Sequence, residues 1–172
     1  PERFSVSGVL QAMNTILHER QLEEYYCTLC YAVFDLKRRN VALANSGLPY
    51  PVRCTATECG QIELPGVPLG SFPGVTYDQL TLPLAKDDIF VFCSDGVSEA
   101  FNEDGQEFGA RRLIDVVQAT RTRTARNVVD AMLRTNAWQS GADGKPRPAL
   151  AFKFDSGKLD DLPAPVPWVE IF

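Results

Sequence analysis

No apolar run in these 172 residues approaches the roughly 20 needed for a helical bilayer span. The first residues, Pro1-Glu2-Arg3-Phe4, lack the long apolar region of a secretory leader, so a cytoplasmic protein without a membrane partner is the expectation. Positive charge is short: 17 Lys and Arg stand against 22 Asp and Glu, and the net charge of −5 offers no electrostatic footprint for nucleic acid. There is one histidine, His18, and no serine-nucleophile motif accompanies it. This disfavours a Ser-His-Asp hydrolase and leaves His18 a surface or helix-end role. Five cysteines is an odd number, and Cys27, Cys30 and Cys93 lie in apolar strand-like segments where small buried thiols are common. Cys27-x-x-Cys30 and Cys54-x4-Cys59 have the outline of a zinc site, but residues three apart on a strand face opposite ways. Neither pair has the glycine-containing knuckle that would bend its members together, so zinc is disfavoured. What remains is a chain 45% hydrophobic, long enough for one sizeable core, read as a single domain over residues 1–172.

The most informative stretch runs from Phe90 to Gly109. Ile89 to Cys93 is an unbroken apolar run rich in β-favouring side chains, which predicts a strand buried on both faces. It ends abruptly at Ser94-Asp95-Gly96. Gly96 is expected to free the backbone for a tight exit, leaving the Asp95 carboxylate at a rigid strand tip where a hard cation can be held. The rival reading is an ordinary turn in which an Asp95 oxygen caps a local N–H. A calcium loop centred on Gly105 fails, because it would put Ala100 and Arg111 where carboxylates are required. Glu99 and Glu103 also fit the solvated face of a short helix.

Elsewhere, Val9, Leu10, Met13, Ile16 and Leu17 recur at helical spacing and predict a helix over residues 8–20, with Ser7 as N-cap. Residues 25–36 and 40–44 predict a hairpin about the basic turn Lys37-Arg38-Arg39, its first strand apolar on both faces. Residues 50–54 and 61–64 predict a second hairpin, and 76–84 a further strand. Asp87 and Asp88 lie at the far end of the 89–93 strand from Asp95 and are read as turn formers. Leu113, Val116 and Val117 mark one helix, and residues 124–138 another. Gln139 to Pro148 reads as a polar flap.

Ser94-Asp95-Gly96-Val97, followed by Glu99, Asn102, Gly105, Phe108-Gly109 and Leu113, resembles the signature of the metal-dependent Ser/Thr protein phosphatases of the PPM class. The resemblance is to the branch of the stage II sporulation phosphatase and the bacterial sigma-factor regulators. Asn45-Ser46-Gly47-Leu48-Pro49 is similar to that family's N-A-G-H-x-P segment, with Leu48 in place of the histidine. Gly66-Val67-Pro68-Leu69-Gly70 resembles its G-x-P-L-G loop, and Asp160-Asp161 its D-D-x-T, with Pro163 in place of Thr.

The resemblance implies an α+β fold, a layered αββα sandwich of two antiparallel sheets flanked by helices. It implies a site for two Mn²⁺ or Mg²⁺ ions with Asp95 and Asp160 or Asp161 as ligands, shaped by Ser94, Gly96, Glu99, Asn45 and Gly47. The implied activity is hydrolysis of phosphoserine or phosphothreonine in a regulatory protein of bacterial signalling, such as an anti-sigma-factor antagonist. The family's G-G-D and G-D-x-x-G-x-G motifs do not occur in this sequence, so the first strands are expected to be lacking. Two readings follow: a partial catalytic domain, or a degenerate, non-catalytic module that binds a regulatory partner. Truncation of the early strands would leave an unpaired sheet edge, so self-association is expected.

Overall fold

The structure, a computed structural model, describes residues 5–20, 26–102, 104–134 and 149–153. In chain order its elements are α1 (Val6–Glu19), β1 (Cys30–Asp35), β2 (Asn40–Asn45), β3 (Val52–Cys54), β4 (Cys59–Gln61), β5 (Leu80–Pro83), β6 (Ile89–Cys93), α2 (Asp95–Ser98), α3 (Gly109–Thr120), α4 (Ala125–Arg134) and β7 (Ala149–Lys153). They divide into two compact units, residues 1–50 with 63–84 and residues 51–62 with 85–172.

The first unit is a three-stranded antiparallel sheet, ordered β1-β2-β5, with α1 against it. Val6, Leu10 and Asn14 recur every four residues and are buried, so α1 turns one stripe inward. Its cap is Ser5 rather than Ser7: the extended Ser5 accepts the Gly8 N–H at 3.0 Å, which a serine already inside the helix is not placed to do. The stripe packs with Ala44, Leu69 and Tyr77. Asn14, 1% exposed, accepts the Gly70 N–H at 2.8 Å and donates to the Phe72 carbonyl at 3.0 Å, pinning the loop from Leu69 to Tyr77 onto the helix.

The β1–β2 hairpin forms as expected, with Asp35 opposite Asn40, and Asp35 accepts the Arg38 backbone N–H at 2.9 Å across the turn. That bond, more than the Arg38 charge, holds the Asp35 carboxyl below its ordinary value. β1 departs from expectation. It spans only 30–35, and its Tyr31 and Val33 are 36% and 45% exposed, because this strand ends the order of its sheet and α1 lies chiefly over β2. The predicted 76–84 strand shortens to β5, since Tyr77 turns into the core and brings its hydroxyl to within 3.4 Å of Asn14 Oδ1.

The second unit is a four-stranded antiparallel sheet ordered β4-β3-β6-β7. β6 is central, paired with β3 on one side and β7 on the other, and is buried on both faces as its composition predicts. Ile89, Val91 and Cys93 point to one face. There they meet Val97, Ala100, Phe108, Leu113, Val117, Val128 and Met132, delivered by α2, the loop after it, α3 and α4. Phe108 is 3% exposed, and truncating such a ring costs about 3–5 kcal/mol. Its neighbour Gly109 has φ +71°, a left-handed backbone that starts α3 and that a side chain would strain.

The β3–β4 hairpin is tighter than expected, pairing 52–54 with 59–61. The Thr55 hydroxyl accepts the backbone N–H groups of Thr57 and Glu58, folding four residues into a turn that sequence reading had spread over six. Cys54 and Cys59 are thereby brought opposite one another and joined in a disulfide, Cα to Cα 4.0 Å, which corrects the expectation that nothing bends this pair together. β7 has no counterpart in the sequence reading, while the predicted flap at 139–148 lies outside the described residues.

Candidate metal-binding turn at Asp95

β6 delivers the chain to Ser94, whose extended backbone ends the strand and whose carbonyl accepts the Val97 N–H at 3.1 Å. Asp95 is thus the first residue of α2. Its carbonyl takes the Glu99 N–H at 2.7 Å and the Ser98 hydroxyl at 3.1 Å, which fixes the residue's backbone. Its side chain is exposed. One carboxylate oxygen accepts the Gly96 N–H at 2.6 Å, and the other has no hydrogen-bond partner among the described residues. The turn reading of Asp95 is therefore realised, since a local N–H is capped, while among the described residues its second carboxylate oxygen has no hydrogen-bond partner. Gly96 does not serve as expected. It lies within the helical turn and takes no left-handed conformation, because the chain leaves the strand by starting a helix.

The charge at Asp95 is felt at the end of β6. Cys93, 8% exposed, has its thiol pushed up to about 11, first by burial and then by the Asp95 carboxylate. Glu99 is exposed at the end of α2. Beyond it the chain folds back on itself. Gly105 N–H donates to the Asn102 carbonyl at 3.0 Å, Gln106 N–H to Asn102 Oδ1 at 2.8 Å, and Phe108 N–H to the Ala100 carbonyl at 2.7 Å. Asn102 and Gly105, with φ +74°, form a tight bend that returns Phe108 to the core beneath the Asp95 turn. Glu103 lies outside the described residues.

Asn45 and Gly47, the other predicted site-shaping positions, belong to the first unit. Asn45, 1% exposed, donates from Nδ2 to the carbonyls of Leu48 at 2.9 Å and Leu64 at 3.0 Å, and accepts the Leu48 N–H at 3.2 Å. Its amide is spent on the backbone, so its part is to hold the 45–48 turn against the 64–66 segment. Gly47 has φ +88°, which few other residues tolerate. Leu48 takes the place of a histidine and brings no polar group.

Asp160 and Asp161 lie outside the described residues. Among the described residues no group of three or more His, Cys, Asp or Glu side chains is gathered to hold a metal. The donor chemistry of Asp95 nonetheless suits a hard divalent cation: an exposed carboxylate on a fixed backbone with an oxygen to spare.

Sequence reading missed the pairing of Asp88 with Arg53. Asp88 is fully buried, and its Oδ2 takes Arg53 Nη2 at 2.7 Å and the Ala85 N–H at 3.1 Å, while the guanidinium lies 5.4 Å from the centre of the Phe90 ring. Asp88 does form the expected turn and also ties β3 to the start of β6. The signal was an arginine at the centre of an otherwise apolar strand.

Comparison with known proteins places these features. The stage II sporulation protein E (SpoIIE) family matches residues 2–145. No curated protein matches the chain. Among solved structures, the SiaA-PP2C domain of Pseudomonas aeruginosa superposes with TM-score 0.72 at 21% identity, over 88% of this chain and 61% of that one. The PP2C phosphatase domain of SpoIIE from Bacillus subtilis, solved with a fragment of its regulatory domain, gives TM-score 0.72 at 15% identity, over 88% of this chain and 45% of that one. The catalytic domain of the serine/threonine phosphatase PstP, in complex with two manganese ions, gives TM-score 0.55 at 14% identity, over 88% and 71%. The chain thus spans less than two thirds of the first of these relatives and under half of the second. The fold is the α+β fold of PP2C phosphatases with its antiparallel sheets, present here in part. The chain belongs to the SpoIIE family of PP2C-type phosphatase domains.

Proposed function

We propose that residues 1–172 form one domain, the later part of a metal-dependent protein phosphatase that hydrolyses phosphoserine or phosphothreonine in a cytoplasmic regulatory protein such as an anti-sigma-factor antagonist. The observation behind this reading is the Asp95 turn: a carboxylate at the tip of a central strand, its backbone fixed by Glu99 and Ser98, with one oxygen that has no hydrogen-bond partner among the described residues. Asp95 is assigned as a metal ligand, with Asp160 or Asp161 as a second. Mn²⁺ or Mg²⁺, when bound, supplies the positive charge and Lewis acidity that phosphate monoester hydrolysis requires. Ser94 and Gly96 set the direction of the Asp95 side chain. Glu99 adds negative charge within one helical turn, and the Asn102–Phe108 bend holds the turn against the core. Asn45 and Gly47 shape the 45–48 loop of the first unit.

Leu48 favours a second reading, a degenerate module that binds its partner without turnover. The side chain at the family's histidine position has neither donor nor acceptor, whereas its backbone role toward Asn45 is intact.

The test is Mn²⁺ titration with p-nitrophenyl phosphate and a phosphoserine peptide as substrates, using the chain and its Asp95→Asn variant. Metal-dependent turnover that falls by about 100-fold or more in Asp95→Asn supports the phosphatase reading. Turnover indifferent to Asp95→Asn removes it. Metal-independent binding of the phosphopeptide without turnover establishes the module.

A further inference from the structure

Cys54 and Cys59 sit directly opposite one another on β3 and β4, in a position that the hairpin would hold without a covalent bond. The flanking pairs are hydrogen-bonded, Thr55 N–H to the Glu58 carbonyl and Ile62 N–H to the Pro51 carbonyl, both at 2.7 Å. The turn is closed again by the Thr55 hydroxyl. Arg121, at the end of α3, donates to the Thr55 and Ala56 carbonyls at 3.3 and 2.9 Å. A crosslink across so short a separation in sequence restricts the unfolded chain little, so it adds least where a structural disulfide adds most.

The two sulfurs differ in their surroundings. Cys54 is 1% exposed and its strand is held by β6, with Cys54 opposite Ile89. Cys59 is only partly buried, on the three-residue strand β4 at the end of the sheet order, and its sulfur lies 3.9 Å from the Ile114 carbonyl of α3. When the bond opens, two sulfurs must part to van der Waals contact. Cys54 has nowhere to go, so Cys59 moves, and what it meets is α3.

We propose that Cys54–Cys59 is a reversible thiol–disulfide exchange site for low-molecular-weight thiols, and that its state is transmitted to α3 through Cys59 and Ile114. A thiolate attacks the sulfur of Cys59, the less buried of the two residues, forming a mixed disulfide there, and the Cys54 sulfur leaves with the electron pair and takes a proton. A second thiolate attacks the outer sulfur of the mixed disulfide, and Cys59 leaves as the second thiol. In sum, two thiols are oxidised to their disulfide and the protein disulfide is reduced to two cysteines. In a reducing compartment, a disulfide of this kind is transient rather than structural. The assignment does not depend on catalysis at Asp95.

The test uses the whole chain equilibrated in glutathione buffers of graded reduced-to-oxidised ratio. Alkylation mapped by mass spectrometry reads the pair, and hydrogen exchange of peptides spanning 110–121 reads α3. The expected result is that Cys54 and Cys59 become alkylatable together and reversibly while the far-ultraviolet circular dichroism is unchanged. Exchange in α3 should rise about five-fold on reduction. Cys54→Ala, which leaves the Cys59 thiol free, should exchange at the reduced rate in every buffer, and Cys59→Ala, with no sulfur to press on α3, should exchange at the oxidised rate in every buffer. Three results each overturn the proposal: both cysteines alkylatable in fully oxidised buffer, a bond that yields only when the chain unfolds, or α3 exchange indifferent to the state of the pair.

Discussion

Replacing Gly66 with alanine tests the packing of the first unit most directly. A Cβ at Gly66 would lie 2.8 Å from the Asn45 carbonyl carbon and 3.2 Å from Ser46 Cα, and would overlap the Asn45 carbonyl oxygen outright. All three atoms are backbone, belonging to Asn45 and Ser46, which are 1% and 0% exposed, so no side chain can swing aside. Overpacking of this kind costs about 1–3 kcal/mol. The only relief is to lift the 64–66 segment, which breaks the 3.0 Å bond from Asn45 Nδ2 to the Leu64 carbonyl and adds about 1 kcal/mol. A loss of about 2–4 kcal/mol is therefore expected, a fall in Tm of about 5–15 °C for a chain of this size. Gly60→Ala is the control, since its Cβ meets nothing within 4 Å and its φ is ordinary; its effect should stay within about 0.5 kcal/mol. Gly105→Ala separates the two causes, having open space but φ +74°, and should cost about 1 kcal/mol. Urea midpoints for the three variants decide the matter. If Gly66→Ala matches Gly60→Ala, the 64–66 segment does not rest on the Asn45 turn and the account of that loop is wrong.

Arg53→Met should destabilise the chain by about 3–5 kcal/mol by leaving Asp88 charged and buried, and Arg53→Met with Asp88→Leu should recover part of the loss, as denaturant midpoints will show. Burial pushes the Cys30 thiol up to about 11 from 9.0, so at pH 8 its thiolate population is roughly one-hundredth of an unperturbed thiol's and iodoacetamide should label it correspondingly slowly. Because the folded value is the higher one, the preference for a neutral Cys30 stabilises the fold below pH 9 and is lost between pH 9 and about 11, which a pH series of urea midpoints should register. β1 ends its sheet order with Tyr31 and Val33 exposed, so sedimentation should show concentration-dependent association that Val33→Lys reduces; a monomer at all concentrations would refute the open edge.

Several elements were legible because their signal is local. The run from Ile89 to Cys93 can be satisfied only by a strand covered on both faces, and the helical spacing of Leu113, Val116 and Val117 marks the helix found as α3. Asp95 was legible for the same reason, as a carboxylate directly after a buried strand. What escaped depends on partners distant in sequence. The span of β1 is limited by what lies over it, not by its apolar composition. The Cys54–Cys59 pair depends on where the intervening turn falls, and that was settled by one threonine hydroxyl. The Arg53–Asp88 pair joins strands 35 residues apart, and β7 is recruited by β6 from a stretch with weak alternation of its own.

The anchoring of α1 by Asn14 has a mechanical consequence. Successive residues of a helix are offset by about 100°, so rolling α1 by a single position would carry the amide away from both Gly70 and Phe72 and strand it in an apolar lining. The helix therefore has one permitted azimuth. Any force that turns it must drag the Leu69–Tyr77 segment along, and the two behave as one lever.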